Sequence, residues 1–355
     1  MKYIFLFTTL FLCCSFAKEK EVLLVHNFTP DCPEAIFSPG TPFQIVQENL
    51  HKKNISLQCI NRETSLLYQR KIPKKSWHRK VHNIVYGEEK NLPISTDPRA
   101  YLVFFNLEVY PPMRQIQQVA KDRLILFAFE PPCMIPRLYE QKTYDTFSKI
   151  YTWDDDLVDD KKFFKFYYPV LSKVSDPLRS FSERKLCTLV ATNKFSDMEG
   201  ELFSARRKAI SYFETTAPSD FDFYGREWDG SVHTCYKGPC GDKIETLKKY
   251  RFYICYENTC NKKGYVTEKI FDCFSAGCVP IYWGAPNIEA FIPTNCFIDA
   301  RKYQNLDELH DFLKNMKEDT YNVYLNNIRV FLESPEAKLF SIEHFTKIFT
   351  EAVSN

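Results

Sequence analysis

The sequence predicts an α/β protein that is built on parallel β-sheets and is large enough for two domains. Its 355 residues exceed the size of a common single domain, which is about 100–150 residues. Short, continuous apolar runs alternate with candidate helices, as expected of parallel strands that helices cover on both faces. The net charge of only +2 gives no basic field for nucleic acid, so we expect no nucleic-acid partner.

The first half of the chain contains four such apolar runs. They predict strands over residues 21–28, 55–60, 101–106 and 123–129. Residues 70–99 mix proline, lysine and histidine without a clear period, which predicts a loop or a short helix. Residues 167–184 contain Pro177 and several serines, and we interpret them as the segment between two domains.

The second half is organised around residues 250–293, which predict a strand, a loop, a helix and a second strand. Residues 251–256 are aromatic and β-branched, and residues 257–264 are polar and end in glycine. Helical spacing is shown by Val266, Ile270 and Phe274. Open α/β sheets bind ligands beside the loop and helix N-terminus of such a βαβ unit.

Other elements of the second half follow from the same patterns. Strands are predicted over residues 185–192, 221–225 and 296–299. Helices are predicted over residues 201–213, 243–249, 306–316, 321–332 and 340–353.

The first turn of the helix in the βαβ unit carries residues that suit a phosphate. Thr267 can cap the helix, whose free N–H groups and partial positive charge attract anions. Lys269 adds a full positive charge, and Glu268 can accept hydrogen bonds from ribose hydroxyls. An ordinary amphipathic helix with a solvated Glu268–Lys269 pair is the simpler interpretation of these residues taken alone.

The full string of residues resembles the nucleotide-binding signature of glycosyltransferase family 10, the α1,3/4-fucosyltransferases. The matching residues are Phe252, Tyr256, Glu257, Asn258, Thr259, Tyr265, Val266, Thr267, Glu268, Lys269, Val279, Pro280, Ile281, Gly284, Phe291, Ile292 and Pro293. Tyr256 departs from the pattern, because phenylalanine is commoner there. The close match is confined to this unit, and a looser match extends over residues 185–299.

Glu130 follows the apolar run 123–129 and precedes two prolines. A carboxylate at the carboxyl end of a parallel strand lies at the mouth of the sheet, and prolines fix the backbone behind it. A loop glutamate in water explains this position equally well. The resemblance implies the first role, because family 10 enzymes have a strand that ends in a glutamate serving as general base.

Asp154, Asp155 and Asp156 follow a predicted strand and contain a D-x-D pattern. Such carboxylates could hold Mn²⁺ in a metal-dependent transferase of the GT-A type. We interpret them instead as an acidic surface turn, since Lys269 and a helix terminus can already neutralise phosphates. The resemblance accordingly implies no obligatory cofactor or metal, although Mn²⁺ could stimulate the reaction.

Arg206 and Arg207 lie early in the predicted helix 201–213. A double arginine usually belongs to a solvated face. The resemblance places a phosphate-binding arginine in this helix, and Arg206 fits the apolar spacing of the family better than Arg207. A guanidinium group can bind a phosphate through two hydrogen bonds. The choice between the two arginines stays open at the level of sequence.

The resemblance implies a GT-B fold, in which two Rossmann-like domains turn parallel sheets toward a central cleft. It implies an inverting transfer of L-fucose from GDP-fucose to a glycan or glycoprotein hydroxyl, with O3 of N-acetylglucosamine as the expected position. Glu130 is the implied base, and the implied donor-binding residues are Arg206, Asn258, Tyr265, Glu268 and Lys269. The alternatives are a GT-B or GT-A transferase for another nucleotide sugar, and a non-catalytic carbohydrate-binding relative.

Four segments are expected along the chain. They are a signal peptide or membrane anchor (1–20), an acceptor-binding domain (21–175), a donor-binding domain (176–335) and a C-terminal helix that could cross back to the first domain (336–355).

The first residues have the pattern of a targeting segment. Lys2 precedes an uncharged run over residues 3–17, and residues 15–17 fit a small-x-small cleavage site. The run is shorter than the about 20 residues of a membrane span, so a short anchor is the alternative to a cleaved signal. A cleaved signal and an anchor both predict that the protein is located in the secretory pathway, in the Golgi lumen or on a membrane. Association with a bacterial envelope is the alternative. Asn27 and Asn54 begin N-glycosylation sequons.

The chain has 13 cysteines, and their spacing gives two expectations. Cys235 and Cys240 flank a tight loop that a disulfide could close. Cys273 and Cys278 flank a helix end, where we expect them to pack as buried apolar residues. The pairs lack the spacing and the histidines of a zinc site.

Overall fold

The computed structural model describes residues 20–25, 42–59, 100–107 and 119–354. The targeting segment, Asn27 and the predicted loop 70–99 lie outside the described residues. None of the helices in the described ranges combines the length and the apolar character that a membrane span requires.

The first described sheet has six parallel strands in the order β2-β1-β3-β4-β5-β6. These strands are β1 (Lys20–Val25), β2 (Ile55–Cys59), β3 (Tyr101–Phe105), β4 (Leu124–Ala128), β5 (Lys149–Thr152) and β6 (Phe163–Lys165). Every residue of β3 and β4 is buried. This is the expected consequence of continuous apolar runs in a parallel sheet that is covered on both faces.

The second described sheet has five parallel strands in the order β11-β10-β9-β7-β8. These strands are β7 (Lys185–Val190), β8 (Phe221–Tyr224), β9 (Tyr250–Tyr256), β10 (Val279–Trp283) and β11 (Ile298–Asp299). The two sheets confirm the predicted α/β class.

Eight α-helices lie in the described residues. They are α1 (Pro42–His51), α2 (Gln141–Thr146), α3 (Phe203–Thr216), α4 (Lys243–Leu247), α5 (Glu268–Ser275), α6 (Leu306–Asn315), α7 (Glu318–Leu332) and α8 (Ile342–Ser354). Side-chain caps begin α4, α5 and α6: the side-chain oxygens of Asp242, Thr267 and Asn305 each accept a backbone N–H of the first turn. The cap at Thr267 confirms the start of the helix that the sequence analysis singled out.

The last helix, α8, returns to the first sheet. Its buried Phe345 and Phe349 share one apolar cluster with β3 and β4. The ring of Phe349 stacks on Phe127 at 5.5 Å, and Phe345 lies 5.6 Å from the same ring. The C-terminus of the chain therefore completes the core of the first half, and the domain boundaries assigned from sequence stay predictions.

Several predicted elements differ from the observed ones at their ends. Helix α7 begins at Glu318 rather than residue 321, because Glu318 and Asp319 lie in its first turn, where negative side chains stabilise the helix. The last strand is only Ile298–Asp299, since Thr294–Cys296 forms a 3₁₀ turn.

The structure contradicts one of the two expectations for the cysteines and confirms the other. Cys235 and Cys240 are free thiols, so the disulfide expectation is wrong. Their sulfurs point to different neighbours, the carbonyl of Pro218 and the hydroxyl of Thr246. The burial predicted for Cys273 and Cys278 is confirmed.

Replacing Phe345 with alanine tests the role of α8 in the first core. The ring is fully buried, so we expect a loss of about 3–5 kcal/mol of stability and a lower Tm. Scanning calorimetry measures the change. Val330→Ala is the control, because Val330 on α7 is 72% exposed and its truncation should change stability by at most about 0.5 kcal/mol. If the Phe345→Ala protein has the same Tm as the parent, the packing role of Phe345 is refuted.

Candidate functional site

The candidate site lies where the strand order of the second sheet reverses, between β7 and β9. Strands β8 and β10 lie on opposite sides of this pair. Helix α3 follows β7 and helix α5 follows β9, so the loops before these helices diverge at the carboxyl ends of the strands. Open α/β sheets bind ligands at such a point.

Glu257 organises the loop between β9 and α5, which we call the donor loop (residues 257–267). Its carboxylate is fully buried and accepts hydrogen bonds from the Thr267 backbone N–H at 3.0 Å and from the Thr267 hydroxyl at 2.9 Å. Its second oxygen lies 3.2 Å from Lys269 Nζ. Glu257 belongs to the sequence motif but is not among the predicted site residues, although a glutamate directly after a buried strand is a signal that could have identified it.

Lys269 and Glu268 carry opposite charges at the start of α5. Burial alone lowers the pKa of Lys269, but the charges of Glu257 and Glu268 outweigh it and raise that pKa above its ordinary value. Burial alone raises the pKa of Glu268, yet the charges of Lys269 and Lys243 lower it to about 2. The site therefore presents a charged ammonium group beside the free N–H groups of a helix N-terminus.

Arg206 extends from α3 into the same site. The buried guanidinium donates from Nη2 to the Tyr256 carbonyl at 2.6 Å and to Asn258 Oδ1 at 3.0 Å. Asn258 Nδ2 in turn donates to the Tyr265 hydroxyl at 3.2 Å. Three of the predicted donor-binding residues thus form one hydrogen-bonded chain.

Arg207 points elsewhere, although it is the neighbour of Arg206 on α3. Its guanidinium donates to the Lys194 carbonyl and lies 4.0 Å above the Phe195 ring. Of the two arginines, the structure brings Arg206 to Asn258.

Glu130 approaches this site from the first sheet, at the end of β4. Its backbone is fixed, because its N–H donates to Asn106 Oδ1 at 3.0 Å and its carbonyl accepts from the Tyr139 hydroxyl at 2.9 Å. Within the described residues, the buried Oε2 atom has no hydrogen-bond partner. Burial raises the pKa of Glu130, Lys269 partly offsets that effect, and Glu268 adds to it.

Hydrogen bonds, an ion pair and electrostatic effects link the six predicted site residues across the two sheets. The charges of Lys269 and Glu268 act on Glu130, and the charge of Arg206 acts on Lys269. The second sheet supplies two cations and a helix N-terminus, and the first sheet supplies a carboxyl group whose Oε2 has no hydrogen-bond partner among the described residues. This arrangement can bind an anionic group and remove a proton from a second molecule.

The prediction of an acidic surface turn at residues 154–156 is wrong for Asp154. Asp154 is fully buried and lies 3.3 Å from Lys262 Nζ. Asp155 accepts a hydrogen bond from Asn287 Nδ2 at 2.9 Å and pairs with Lys165. Asp155 is partly exposed, and Asp156 is exposed.

A metal centre was one alternative for these carboxylates. In the ranges that the structure describes, no group of three or more histidine, cysteine, aspartate or glutamate side chains is placed to hold a metal ion.

Residues 184–334 match the family model described as glycosyltransferase family 10 (fucosyltransferase), C-terminal part. This match contains both α3 and the donor loop, and it confirms the resemblance that the sequence motif indicated.

Relatives with curated names are similar over shorter stretches. An α-(1,3)-fucosyltransferase from Helicobacter pylori is 29% identical over 157 residues, which cover 44% of this chain and 29% of that protein. An α-(1,4)-fucosyltransferase from Arabidopsis thaliana is 38% identical over 73 residues, covering 21% and 18%. An α-(1,3)-fucosyltransferase 7 from Mus musculus is 37% identical over 81 residues, covering 22% and 21%. The chain therefore aligns with less than a third of each relative.

Solved structures are similar over nearly the whole chain. The crystal structure of an α1,3-fucosyltransferase with GDP has a TM-score of 0.54 at 16% identity and covers 96% of this chain and 92% of that one. The crystal structure of a glycosyltransferase from Rickettsia africae has a TM-score of 0.52 at 9% identity, covering 95% and 99%. At such identities the likeness concerns the fold, and it confirms the predicted GT-B class.

Replacing Glu130 with glutamine tests the burial of its carboxyl group. A carboxyl whose pKa is raised by folding costs stability as the pH rises above its unfolded pKa of about 4.3, because the folded state must then hold a buried charge. Glu130→Gln should therefore raise Tm at about pH 8 and change it less at about pH 5. The control Glu245→Gln removes an exposed charge and should leave Tm nearly unchanged at both pH values. If the Tm of Glu130→Gln does not exceed that of the parent at about pH 8, the inferred cost of burying the Glu130 charge is contradicted.

Proposed function

We propose that this protein is an inverting fucosyltransferase that moves L-fucose from GDP-fucose to a hydroxyl of a glycan or glycoprotein. One observation carries the proposal: the Lys269 ammonium lies at the start of α5, the buried Arg206 contacts the loop before that helix, and the charge of Lys269 acts on Glu130, whose Oε2 has no hydrogen-bond partner among the described residues. The family match over residues 184–334 supports a fucose donor.

The donor diphosphate is proposed to bind at the N-terminus of α5. Lys269 supplies a fixed charge there, and Arg206 supplies N–H donors in a planar fork that suits phosphate oxygens. Glu268, held ionised by its neighbours, is proposed to accept hydrogen bonds from the ribose hydroxyls. Asn258 and Tyr265 continue the same hydrogen-bonded chain and are proposed to contact the fucose or the phosphate.

Glu130 is proposed to be the general base. As the acceptor oxygen attacks the anomeric carbon of fucose, the carboxylate takes the hydroxyl proton. The bond from that carbon to the phosphate oxygen breaks, and its electron pair leaves with the diphosphate. Lys269, Arg206 and the helix terminus stabilise the negative charge that develops there. Attack from the face opposite the leaving group inverts the configuration.

No obligatory metal ion or other cofactor is proposed. The two cations and the helix N-terminus already provide positive charge where the diphosphate leaves. Asp154 and Asp155, the carboxylates that a GT-A transferase could use, are engaged by Lys262, Lys165 and Asn287. Stimulation by Mn²⁺ remains compatible with this arrangement.

The acceptor position and the cellular location of the protein are proposed from the names of relatives and from the N-terminal sequence. The names of the relatives from Helicobacter pylori and Mus musculus specify an α1,3 linkage, which supports O3 of N-acetylglucosamine as the acceptor position. The targeting pattern over residues 3–17 supports the secretory pathway, with the catalytic part in the Golgi lumen or attached to a membrane through the N-terminus.

The direct test is transfer from labelled nucleotide sugars. Purified protein is incubated with GDP-fucose, GDP-mannose or UDP-galactose and with N-acetyllactosamine, core N-glycan or lactose acceptors, with and without EDTA. We expect a fucosylated product from GDP-fucose alone, with activity retained in EDTA. Transfer from another donor would support the alternative transferase, loss in EDTA would support the metal-dependent one, and GDP binding without transfer would support a non-catalytic relative.

Glu130→Gln should lower kcat by about 10² or more, because an amide cannot accept the acceptor proton. GDP affinity should stay within about twofold of the parent, since Glu130 is assigned to the acceptor side of the cleft. Steady-state kinetics and calorimetric titration with GDP measure the two quantities. Unchanged turnover in this variant would remove Glu130 from the base role.

Arg206→Ala should weaken GDP binding by about 10–100-fold, the effect of losing charge-assisted hydrogen bonds worth about 1.5–3 kcal/mol. Arg207→Ala is the matched control, because its guanidinium lies on Lys194 and Phe195 instead, and it should change Kd by less than about threefold. Equal losses in the two variants, measured by calorimetric titration, would contradict the assignment of Arg206.

A further inference from the structure

The donor loop of the second half is inserted into the first half of the molecule. Tyr265 is only 1% exposed and belongs to the apolar cluster of the first sheet, together with Trp153. The two rings lie 4.5 Å apart, and the ring of Tyr168 lies 6.3 Å from Tyr265. A loop that contacts both halves can fix their relative position.

A polar network surrounds this inserted ring. Asp155 accepts from Asn287 Nδ2 at 2.9 Å and is paired with Lys165, and its own N–H donates to the Lys263 carbonyl at 3.3 Å. The Oδ1 atom of Asn287 accepts the N–H of Gly264 at 3.0 Å. We call the side chains of Asp155 and Asn287 the clasp, because they join the loop after β5 to the donor loop.

Gly264 fits the clasp because it has no side chain. Its φ of +80° lies in the left-handed region, and an added Cβ would collide with the carbonyl oxygen of Trp153. The backbone of the donor loop thus lies directly against the first half.

The inserted ring also connects with the position of Glu130. Trp153 Nε1 donates to the Phe129 carbonyl at 2.8 Å, and the Tyr168 hydroxyl donates to the same carbonyl. Phe129 immediately precedes Glu130. Trp153 and Tyr168, the two aromatic neighbours of Tyr265 named above, therefore both donate to the peptide group that precedes Glu130.

We propose that Asp155 and Asn287 are positioning residues: the clasp holds Tyr265 between the two halves and so sets the position of Glu130 relative to Lys269. This inference rests on the proposed function for its catalytic consequence, but the clasp itself is independent of it. The hydrogen bonds described above join neither Asp155 nor Asn287 to any of the six site residues. Each of the two therefore acts through the donor loop.

Asn287→Asp tests the clasp with a change of almost equal shape. The new carboxylate can still accept the Gly264 N–H, but it faces Asp155 with a like charge. The double variant Asp155→Asn with Asn287→Asp restores a donor and an acceptor between the two positions, and it leaves an amide oxygen for Lys165. Asp156→Asn is the matched control, because it removes the more exposed Asp156–Lys263 pair between the same two loops.

Hydrogen exchange and kinetics together decide the outcome. We expect Asn287→Asp to speed exchange of the amides of residues 264–267, to lower kcat about tenfold, and to displace the acid limb of the pH–rate profile. The double variant should recover parental protection and kcat to within about twofold, and the control should match the parent. GDP affinity should fall less than kcat in the single variant.

Two results would overturn the clasp or its role. Unchanged amide protection in Asn287→Asp, or no recovery in the double variant, would overturn the clasp whatever the enzyme does. Lost protection with unchanged kcat and pH profile would overturn the positioning role. A parent protein that transfers no fucose would refute the proposed function instead, and the exchange measurement would still decide the clasp.

Discussion

The ion pair between the buried Glu257 and the partly exposed Lys269 is the interaction on which the site depends. Removing Lys269 would leave the Glu257 charge buried without its cation, which is strongly destabilising. Thr267 completes the arrangement by donating two hydrogen bonds to Glu257. The start of α5 therefore has one orientation, and its N–H groups and the Lys269 ammonium point to the same place, which is what an anionic ligand requires.

Parallel sheets explain how groups so distant in sequence come together. Glu130 and Glu257 lie in the loops after β4 and β9, and Arg206 lies near the start of α3, the helix that follows β7. Each sheet gathers its own loops at one edge, and loops of the two sheets are in contact, since Cys133 Sγ lies 3.5 Å from the Asn258 carbonyl oxygen. The return of α8 to the first core and the insertion of Tyr265 from the donor loop are two separate contacts that hold the halves together.

Glu130 and Glu257 differ in the hydrogen-bond partners of their carboxyl groups. Glu257 has every partner it needs, so it stabilises the loop. Glu130 has a firmly held backbone but an oxygen without a partner in the described part of the chain. Local rules of polar satisfaction are broken mainly where function requires it. The contrast is the reason to assign chemistry to Glu130 and support to Glu257.

The sequence alone determined most of the strands, the capped start of α5 and the motif residues, because apolar periodicity and capping act between near neighbours. It missed β6 (Phe163–Lys165). Only the tertiary structure decided that Arg206 rather than Arg207 meets Asn258, since both arginines lie on one helix and packing alone separates them. It likewise placed Asp154 beside Lys262 and Asp155 beside Asn287. Their partners lie more than 100 residues away, and local pattern holds no information about such distant pairs.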